Sequence, residues 1–246
     1  MRICIFDSEC NSLDTTSGFV QELAWAVYDV ETWRLVSAKS HILRWGMHYE
    51  VDPGALTVTD LSRDFCELNG DKATDVMSSF MCDVLDVDFL CGHNILGYDK
   101  PMALTNIKRA CFYEASYSEF DRKPVVDTLI DCPYPSSMKI HALKYLALDH
   151  NYILSNAHQA MADVMACQAV LAKYDFKQVL EIASTPVITL TSKIDFNDVE
   201  SRGRIKNARF FWNASRKLWE KKIRAYHVKG IQLELGPNVN LEMEPT

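Results

Sequence analysis

Ile3-Cys4-Ile5-Phe6-Asp7-Ser8-Glu9 predicts a buried strand that ends in two acids. Because side chains alternate between the two faces of a strand, Asp7 and Glu9 are expected on the same face, one pleat apart. Two carboxylates at the end of an apolar strand destabilise it unless a positive charge lies between them, and a divalent metal ion is the simplest candidate. A solvated loop after the strand is the alternative, so the metal hypothesis needs partners further along the chain.

Length and composition limit the class of protein. A chain of 246 residues with 48% hydrophobic and 11% aromatic residues can form one large domain and a small second one. No apolar run approaches a membrane span and no signal peptide opens the chain, so we expect no membrane partner. The eight cysteines are scattered without a Cys-x-x-Cys pair, which argues against a zinc site. Together these features predict a cytoplasmic protein.

The formal charge of −7 conceals a division along the chain. Residues 1–199 carry 16 Lys and Arg against 28 Asp and Glu, whereas residues 200–246 carry 10 against 5. The first part therefore has a charge of −12 and the second of +5, which predicts different binding partners for the two parts.

The hydrophobic pattern predicts an α/β fold. Three early strands are expected at residues 2–7, 22–29 and 35–43, the second and third joined by a turn. Further strands end near residues 91 and 127, and helices are predicted at 73–85, 101–112, 141–147 and 160–173. This order predicts a mixed sheet flanked by helices.

Two junctions between a loop and a helix supply candidate partners for the acid pair. Asp99 lies directly before a predicted helix. The alternative to a metal ligand is an N-cap residue that only stabilises this helix. His158 and Asp163 would lie about 140° apart on one regular helix. If both serve one site, His158 must lie in the lead-in loop; an exposed histidine beside a first-turn acid is the alternative.

The ordered set of these segments resembles the DEDDh exonuclease superfamily, which includes the proofreading subunits of bacterial replicative polymerases, RNase T and oligoribonuclease. The matching segments are Asp7-Ser8-Glu9, His93-Asn94 to Asp99, and His158 to Asp163, supported by Val20-Gln21-Glu22-Leu23-Ala24 and Val125-Val126-Asp127-Thr128. The resemblance covers about residues 1–180. One departure is Cys10, where a Thr or a similar small polar residue is usual.

The resemblance implies a ribonuclease H-like sheet, three antiparallel strands followed by parallel ones, and a set of site residues. Asp7, Glu9, Asp99 and Asp163 would hold two Mg²⁺ or Mn²⁺ ions, which suits the preference of hard cations for carboxylate oxygens. His158 would be the general base. Ser8, Cys10 and Asn94 would contact the substrate.

The implied activity is a 3′–5′ exonuclease that releases nucleoside 5′-monophosphates from single-stranded DNA. RNA or short oligonucleotides are the alternative substrates, and a non-catalytic nucleic-acid-binding or polymerase-associated subunit is the rival class. The intact set of acids favours the enzyme, since clustered carboxylates repel phosphate. A polymerase or other replication partner and a homodimer are left open.

The end of the chain predicts a second domain, with a boundary at Pro186 that separates residues 1–185 from 186–246. This small α+β unit is basic and rich in aromatic residues, a composition typical of single-strand binding. It would attract a polyanion that the acidic first domain repels. As an alternative, Phe211, Trp212 and Trp219 form the core of the unit. The predicted nucleic-acid contacts are Arg209, Trp212, Arg216 and Lys217.

Overall fold

The computed structural model describes residues 1–110, 113–135, 137–138, 140–154, 158–195 and 197–245. The chain divides into two compact units, Met1–Val179 and Leu180–Thr246. The assignment of separate functions to residues 1–185 and 186–246 stays a prediction. Within the described residues, no helix is both long enough and apolar enough to cross a membrane.

The first unit is built on a mixed six-stranded sheet. Its strands are β1 Arg2–Cys10, β2 Val20–Asp29, β3 Arg34–Arg44, β4 Asp71–Lys72, β5 Phe89–Gly92 and β6 Val125–Asp127. They lie in the order β4-β3-β2-β1-β5-β6. The first three strands are antiparallel, and β5 and β6 extend the sheet in parallel with β1. This topology confirms the predicted ribonuclease H-like α/β class.

Helices pack against this sheet. The helices of the first unit are α1 Pro53–Thr59, α2 Arg63–Asn69, α3 Ala73–Leu85, α4 Asp99–Arg109, α5 Glu114–Arg122, α6 Leu143–Asp149 and α7 Ala160–Leu171, and α8 Phe176–Ala183 spans the boundary between the two units. On one face, Phe6 of β1 packs against Phe80 of α3 with ring centroids 5.2 Å apart, and Phe120 of α5 completes the cluster. α7 packs against β1 and β2. The central strands are therefore buried on both faces, as their apolar sequences require.

β1 is longer than its apolar run predicts. It pairs with β2 from Arg2 through to Cys10, with an irregularity only between Glu9 and Cys10. The two acids therefore lie inside a paired strand, and not after its end. The hydrogen bonds of the β1–β2 ladder hold the backbone of both acids, which the loop alternative would leave free.

α4 begins two residues earlier than the predicted start at Pro101. Pro is tolerated in a first turn because the N–H groups there have no partner inside the helix. The carbonyl of Tyr98 already accepts from the N–H of Met102 at 3.0 Å, so Asp99 is the first helical residue. The described helix ends at Arg109, and Phe112 of the predicted range lies outside the described residues.

The second unit is an antiparallel four-stranded sheet with two helices. Its elements are β7 Val187–Ser192, α9 Val199–Asn207, β8 Phe211–Asn213, β9 Leu218–Arg224, a 3-10 turn at Ala225–His227, α10 Val228–Leu235 and β10 Glu242–Pro245. The strands lie in the order β10-β7-β9-β8. Side chains of Leu190, Ile223 and Trp219 pack with those of Ile205 and Leu235 in the core of this unit.

Candidate active site

Asp7 and Glu9 lie on one face of β1 because they are two residues apart in a strand. Asp7 is partly buried and Glu9 is buried. On the neighbouring strand, Ala24 pairs with Asp7 and Glu22 pairs with Glu9. Glu22 therefore adds another carboxylate beside Glu9.

Asp99 reaches β1 from the first position of α4. Its side chain is 3% exposed, and its Oδ1 accepts hydrogen bonds from the backbone N–H of Ser8 at 3.1 Å and from the Ser8 hydroxyl at 2.7 Å. The N-cap position of α4 is Tyr98, with no side-chain capping hydrogen bond. The N-cap alternative for Asp99 is therefore wrong: its carboxylate is fixed to β1, beside Asp7.

Ser8 and Cys10 are both buried close to Asp99. The Ser8 hydroxyl donates to Asp99, and the Cys10 Sγ lies 3.6 Å from the Ser8 Oγ. Burial raises the pKa of the Cys10 thiol, which favours its protonated form. The contact of these two residues with substrate stays a prediction.

His158 and Asp163 complete the centre from the start of α7. Ligand atoms of Glu9, His158 and Asp163 all lie within 4.8 Å of one another. His158 is exposed in the loop before α7, with a positive φ of 66°, and its backbone N–H donates to the Asp163 Oδ2 at 3.3 Å. The preceding residues 155–157 lie outside the described part of the chain. This arrangement matches the predicted placement, with histidine in the loop and acid in the first turn.

Burial and mutual repulsion raise the pKa values of the clustered acids. Burial, followed by the charges of Asp99 and Asp163, raises the pKa of Asp7 well above its ordinary value. Burial raises the pKa of Glu9 to about 7, and the nearest carboxylates add to the shift. Burial also raises the pKa of Asp99 to about 7, although its hydrogen bonds from Ser8 act in the opposite direction. A bound divalent cation would relieve this repulsion, and four carboxylates suit a hard cation.

Asp127, at the end of β6, is a supporting residue that the sequence analysis did not select. Its buried carboxylate accepts three backbone hydrogen bonds, from Asn94 at 2.8 Å, Leu96 at 3.2 Å and Leu129 at 3.0 Å. Two of these donors belong to the loop that leads into Asp99. Asp127 therefore fixes the backbone on which Asp99 is mounted. The sequence feature that indicates this role is an acid at the end of a buried strand.

Glu22, within the segment Val20-Gln21-Glu22-Leu23-Ala24, also supports the site, although the sequence assigned it no site role. The Ser40 hydroxyl donates to its Oε1 at 3.2 Å. Burial raises the pKa of Glu22, and the N–H of Ala160, the first residue of α7, lowers it. Glu22 thus links β2 to the start of the helix that carries Asp163. Only the strand register, which pairs Glu22 with Glu9, could have indicated this position.

The remaining predicted contacts lie outside this cluster of acids. Asn94 is exposed with a φ of 61° in the loop after β5, and its role toward substrate stays a prediction. In the second unit, Trp212 is exposed and Arg209 is partly buried, while Lys217 is exposed in the turn between β8 and β9.

Arg216 is exposed beside two acidic side chains. Its guanidinium forms ion pairs of 2.6 Å with both Glu220 and Glu244. These ion pairs connect the turn before β9 to β9 and β10, and the phosphate contact of Arg216 stays a prediction.

Comparison with known proteins gives matches among solved structures alone. No family model matches the sequence, and no curated protein matches it. E. coli exonuclease I in complex with a 5cy-dA13 oligonucleotide is similar over 76% of this chain and 47% of its own, with a TM-score of 0.62 and 13% identity. The chain shares the fold of exonuclease I.

Two further exonuclease I structures extend the likeness. One covers 96% of this chain and 68% of its own, with a TM-score of 0.66 and 14% identity. The zinc-bound complex of E. coli exonuclease I with single-stranded DNA covers 100% and 65%, with a TM-score of 0.65 and 12% identity. In these three matches the chain spans between about half and two thirds of the length of exonuclease I. At such identities the likeness concerns the fold.

Proposed function

We propose that the chain is a metal-dependent 3′–5′ exonuclease that hydrolyses single-stranded DNA to nucleoside 5′-monophosphates. The observation that carries this proposal is the convergence of Asp7, Glu9, Asp99 and Asp163 from three separate segments, with His158 beside two of them. Such a cluster of acids would repel a phosphodiester unless cations were bound between them. The fold shared with exonuclease I, solved with DNA oligonucleotides, supports DNA as the substrate.

The four carboxylates would hold two Mg²⁺ or Mn²⁺ ions. When bound, the ions would supply positive charge for both the attacking and the departing oxygens of the phosphodiester. Ser8 and Asp127 keep Asp99 in place for this role, and Glu22 holds the start of the helix that carries Asp163.

His158 acts as the general base in this proposal. Its exposed ring lies beside Glu9 and Asp163, where it accepts a proton from the attacking water. The water oxygen forms a bond to the terminal phosphorus, the bond from phosphorus to the 3′ oxygen breaks, and that oxygen takes a proton from solvent. The products are a nucleoside 5′-monophosphate and a strand shortened by one nucleotide.

The deciding experiment compares 3′- and 5′-end-labelled single-stranded DNA and RNA of the same sequence, with Mg²⁺, Mn²⁺ or EDTA. We expect shortening from the 3′ end that requires metal and that Asp7→Ala abolishes. A faster rate on DNA than on RNA supports DNA as the substrate, and the reverse ratio supports the exoribonuclease alternative. If neither polymer nor a dinucleotide is cleaved while binding persists, the non-catalytic alternative replaces this proposal.

A further inference from the structure

The edge strand β8 of the second unit exposes two adjacent aromatic side chains on opposite faces. Trp212 is 49% exposed and Phe211 is 57% exposed. Trp212 pairs with Trp219 of β9, and their rings meet edge to face with centroids 5.6 Å apart. Because Trp219 belongs to the buried core of this unit, Trp212 is supported from below while much of its ring faces solvent.

Basic side chains gather on the side of the sheet to which the Trp219 ring points. The Lys206 Nζ lies 5.9 Å from that ring. The Lys221 Nζ donates to the carbonyl of Ala208 at 2.6 Å. Burial and the nearby charge of Arg209 lower the pKa of Lys221 to about 8. We call Lys206, Arg209 and Lys221 the basic face, where positive groups are held close together.

The opposite side of β8 differs in charge. Phe211 pairs with Glu220, which is buried in ion-pair contact with Arg216. Arg216 also pairs with Glu244 of β10. Two glutamates therefore face one arginine around Phe211, whereas the basic face has three basic groups against Glu234, whose charge acts on Arg209 and Lys221.

We propose that Trp212 is a stacking platform for one base of a single-stranded nucleic acid, whose phosphates the basic face attracts. A half-exposed indole fixed on a rigid core offers stacking area without sequence preference, because every base has a π-face. Nearby lysines and arginines add a salt-dependent attraction to the backbone. The inference deepens the proposed exonuclease function and rests on it for the identity of the polymer.

The experiment measures the affinity of the full chain for labelled oligo(dT) and oligo(U) in EDTA, which prevents cleavage. We expect Trp212→Ala to weaken binding by about 5- to 150-fold, the range for loss of one base–aromatic stack, whereas Trp212→Phe keeps most of the affinity. Phe211→Ala is the matched control, an exposed neighbour on the opposite face beside Glu220, and should leave the affinity unchanged. The ratio of the two affinities identifies DNA or RNA as the preferred strand.

Salt dependence tests the basic face separately. Lys206→Gln should reduce the slope of log affinity against log salt by about 0.7, the value for one phosphate contact on a single strand. Equal affinities for Trp212→Ala, Phe211→Ala and the unchanged chain would overturn the proposal. The proposal would also be overturned if sedimentation showed that Trp212→Ala loses a dimer while its oligonucleotide affinity is unchanged. Trp212 would then contact a second copy of the chain.

Cleavage of a dinucleotide with Mg²⁺ separates this inference from the catalytic proposal. The unchanged chain is assayed with the dinucleotide, because the platform acts on longer strands. If Trp212→Ala weakens strand binding while the unchanged chain cleaves nothing, the platform stands and the exonuclease proposal fails. If the unchanged chain cleaves while Trp212→Ala binds oligo(dT) and oligo(U) normally, the platform fails alone.

Discussion

The acidic centre of the first unit and Trp212 of the second differ in burial and in how firmly their surroundings hold them. Asp99 is buried and fixed by two hydrogen bonds from Ser8, and its neighbours raise one another's pKa values. Trp212, in contrast, lies exposed on an edge strand. Groups that hold a cation for catalysis must be positioned before the substrate arrives. Groups that bind any sequence of a flexible polymer need exposed area and charge.

The largest expected effect is the loss of turnover in His158→Ala. Removal of a general base lowers rates by about 10²- to 10⁴-fold. Single-turnover cleavage with Mg²⁺ should fall in this range, while oligo(dT) affinity in EDTA stays unchanged, since His158 lies in the acidic centre. His48→Ala, which alters an exposed histidine of the same unit, is the control. Unchanged turnover in His158→Ala would remove this residue from the mechanism.

The two units should also respond to pH in opposite directions. Burial raises the pKa of Glu9 from 4.5 to about 7, so the folded state holds a proton that the unfolded state releases. The free energy of unfolding of the metal-free protein should therefore fall between about pH 4.5 and 7, by about 3 kcal/mol from Glu9 alone. Lys221, whose pKa is lowered from 10.5 to about 8, should instead add stability as the pH rises above 8.

Calorimetric unfolding across this pH range, with and without Mg²⁺, measures both trends. Saturating Mg²⁺ should flatten the fall between pH 4.5 and 7, because the cation replaces the protons that relieve the repulsion. Glu9→Gln should flatten it without metal. A metal-free profile that is already flat in this range would contradict the repulsion inferred among the buried acids.

Asp127→Asn should act on the acidic centre through the loop before Asp99. An amide presents an NH₂ group to backbone donors and so loses at least one of the three hydrogen bonds that the carboxylate accepts. Residues that support a metal ligand typically change metal affinity or activity by about 10- to 100-fold. We expect this loss in Mn²⁺ affinity and turnover, with oligo(dT) binding in EDTA unchanged. Asp75→Asn, at an exposed position of α3, is the control.

The parts of the molecule that depend on local sequence could be predicted. The acid spacing in β1, the loop position of His158 and the helical position of Asp163 all follow from neighbouring residues. Asp127 and Arg216 depend on partners about 30 residues away in sequence, Leu96 and Glu244, and hydrophobic periodicity carries no information about them.

Short helices were also missed. α1 and α2 are seven residues each and α5 is nine, and each buries at most one side chain, so each offers too few turns to be distinguished from a loop by its sequence. Phe211 and Trp219 show that the burial of a single residue is equally hard to predict from a short segment. Both are aromatic residues in short strands, and only the sheet register makes Trp219 core and leaves Phe211 exposed.

Ser8→Ala is expected to have the smallest effect, and it separates two roles for one residue. If Ser8 touched substrate, as the sequence predicted, the substitution would raise KM and leave metal affinity unchanged. The structure instead directs its hydroxyl to Asp99 at 2.7 Å, while the Ser8 backbone N–H provides a second hydrogen bond that alanine keeps. Loss of one hydrogen bond to a charged group corresponds to about 1.5 to 3 kcal/mol. Because the Ser8 N–H still holds Asp99, we expect the lower end of this range, a fall in Mn²⁺ affinity of about tenfold. Cys10→Ala, which removes a buried neighbour without touching Asp99, should change Mn²⁺ affinity far less. A rise in KM at constant metal affinity would instead show that the Ser8 side chain contacts the substrate. Asp99 would then be held by the Ser8 backbone N–H alone.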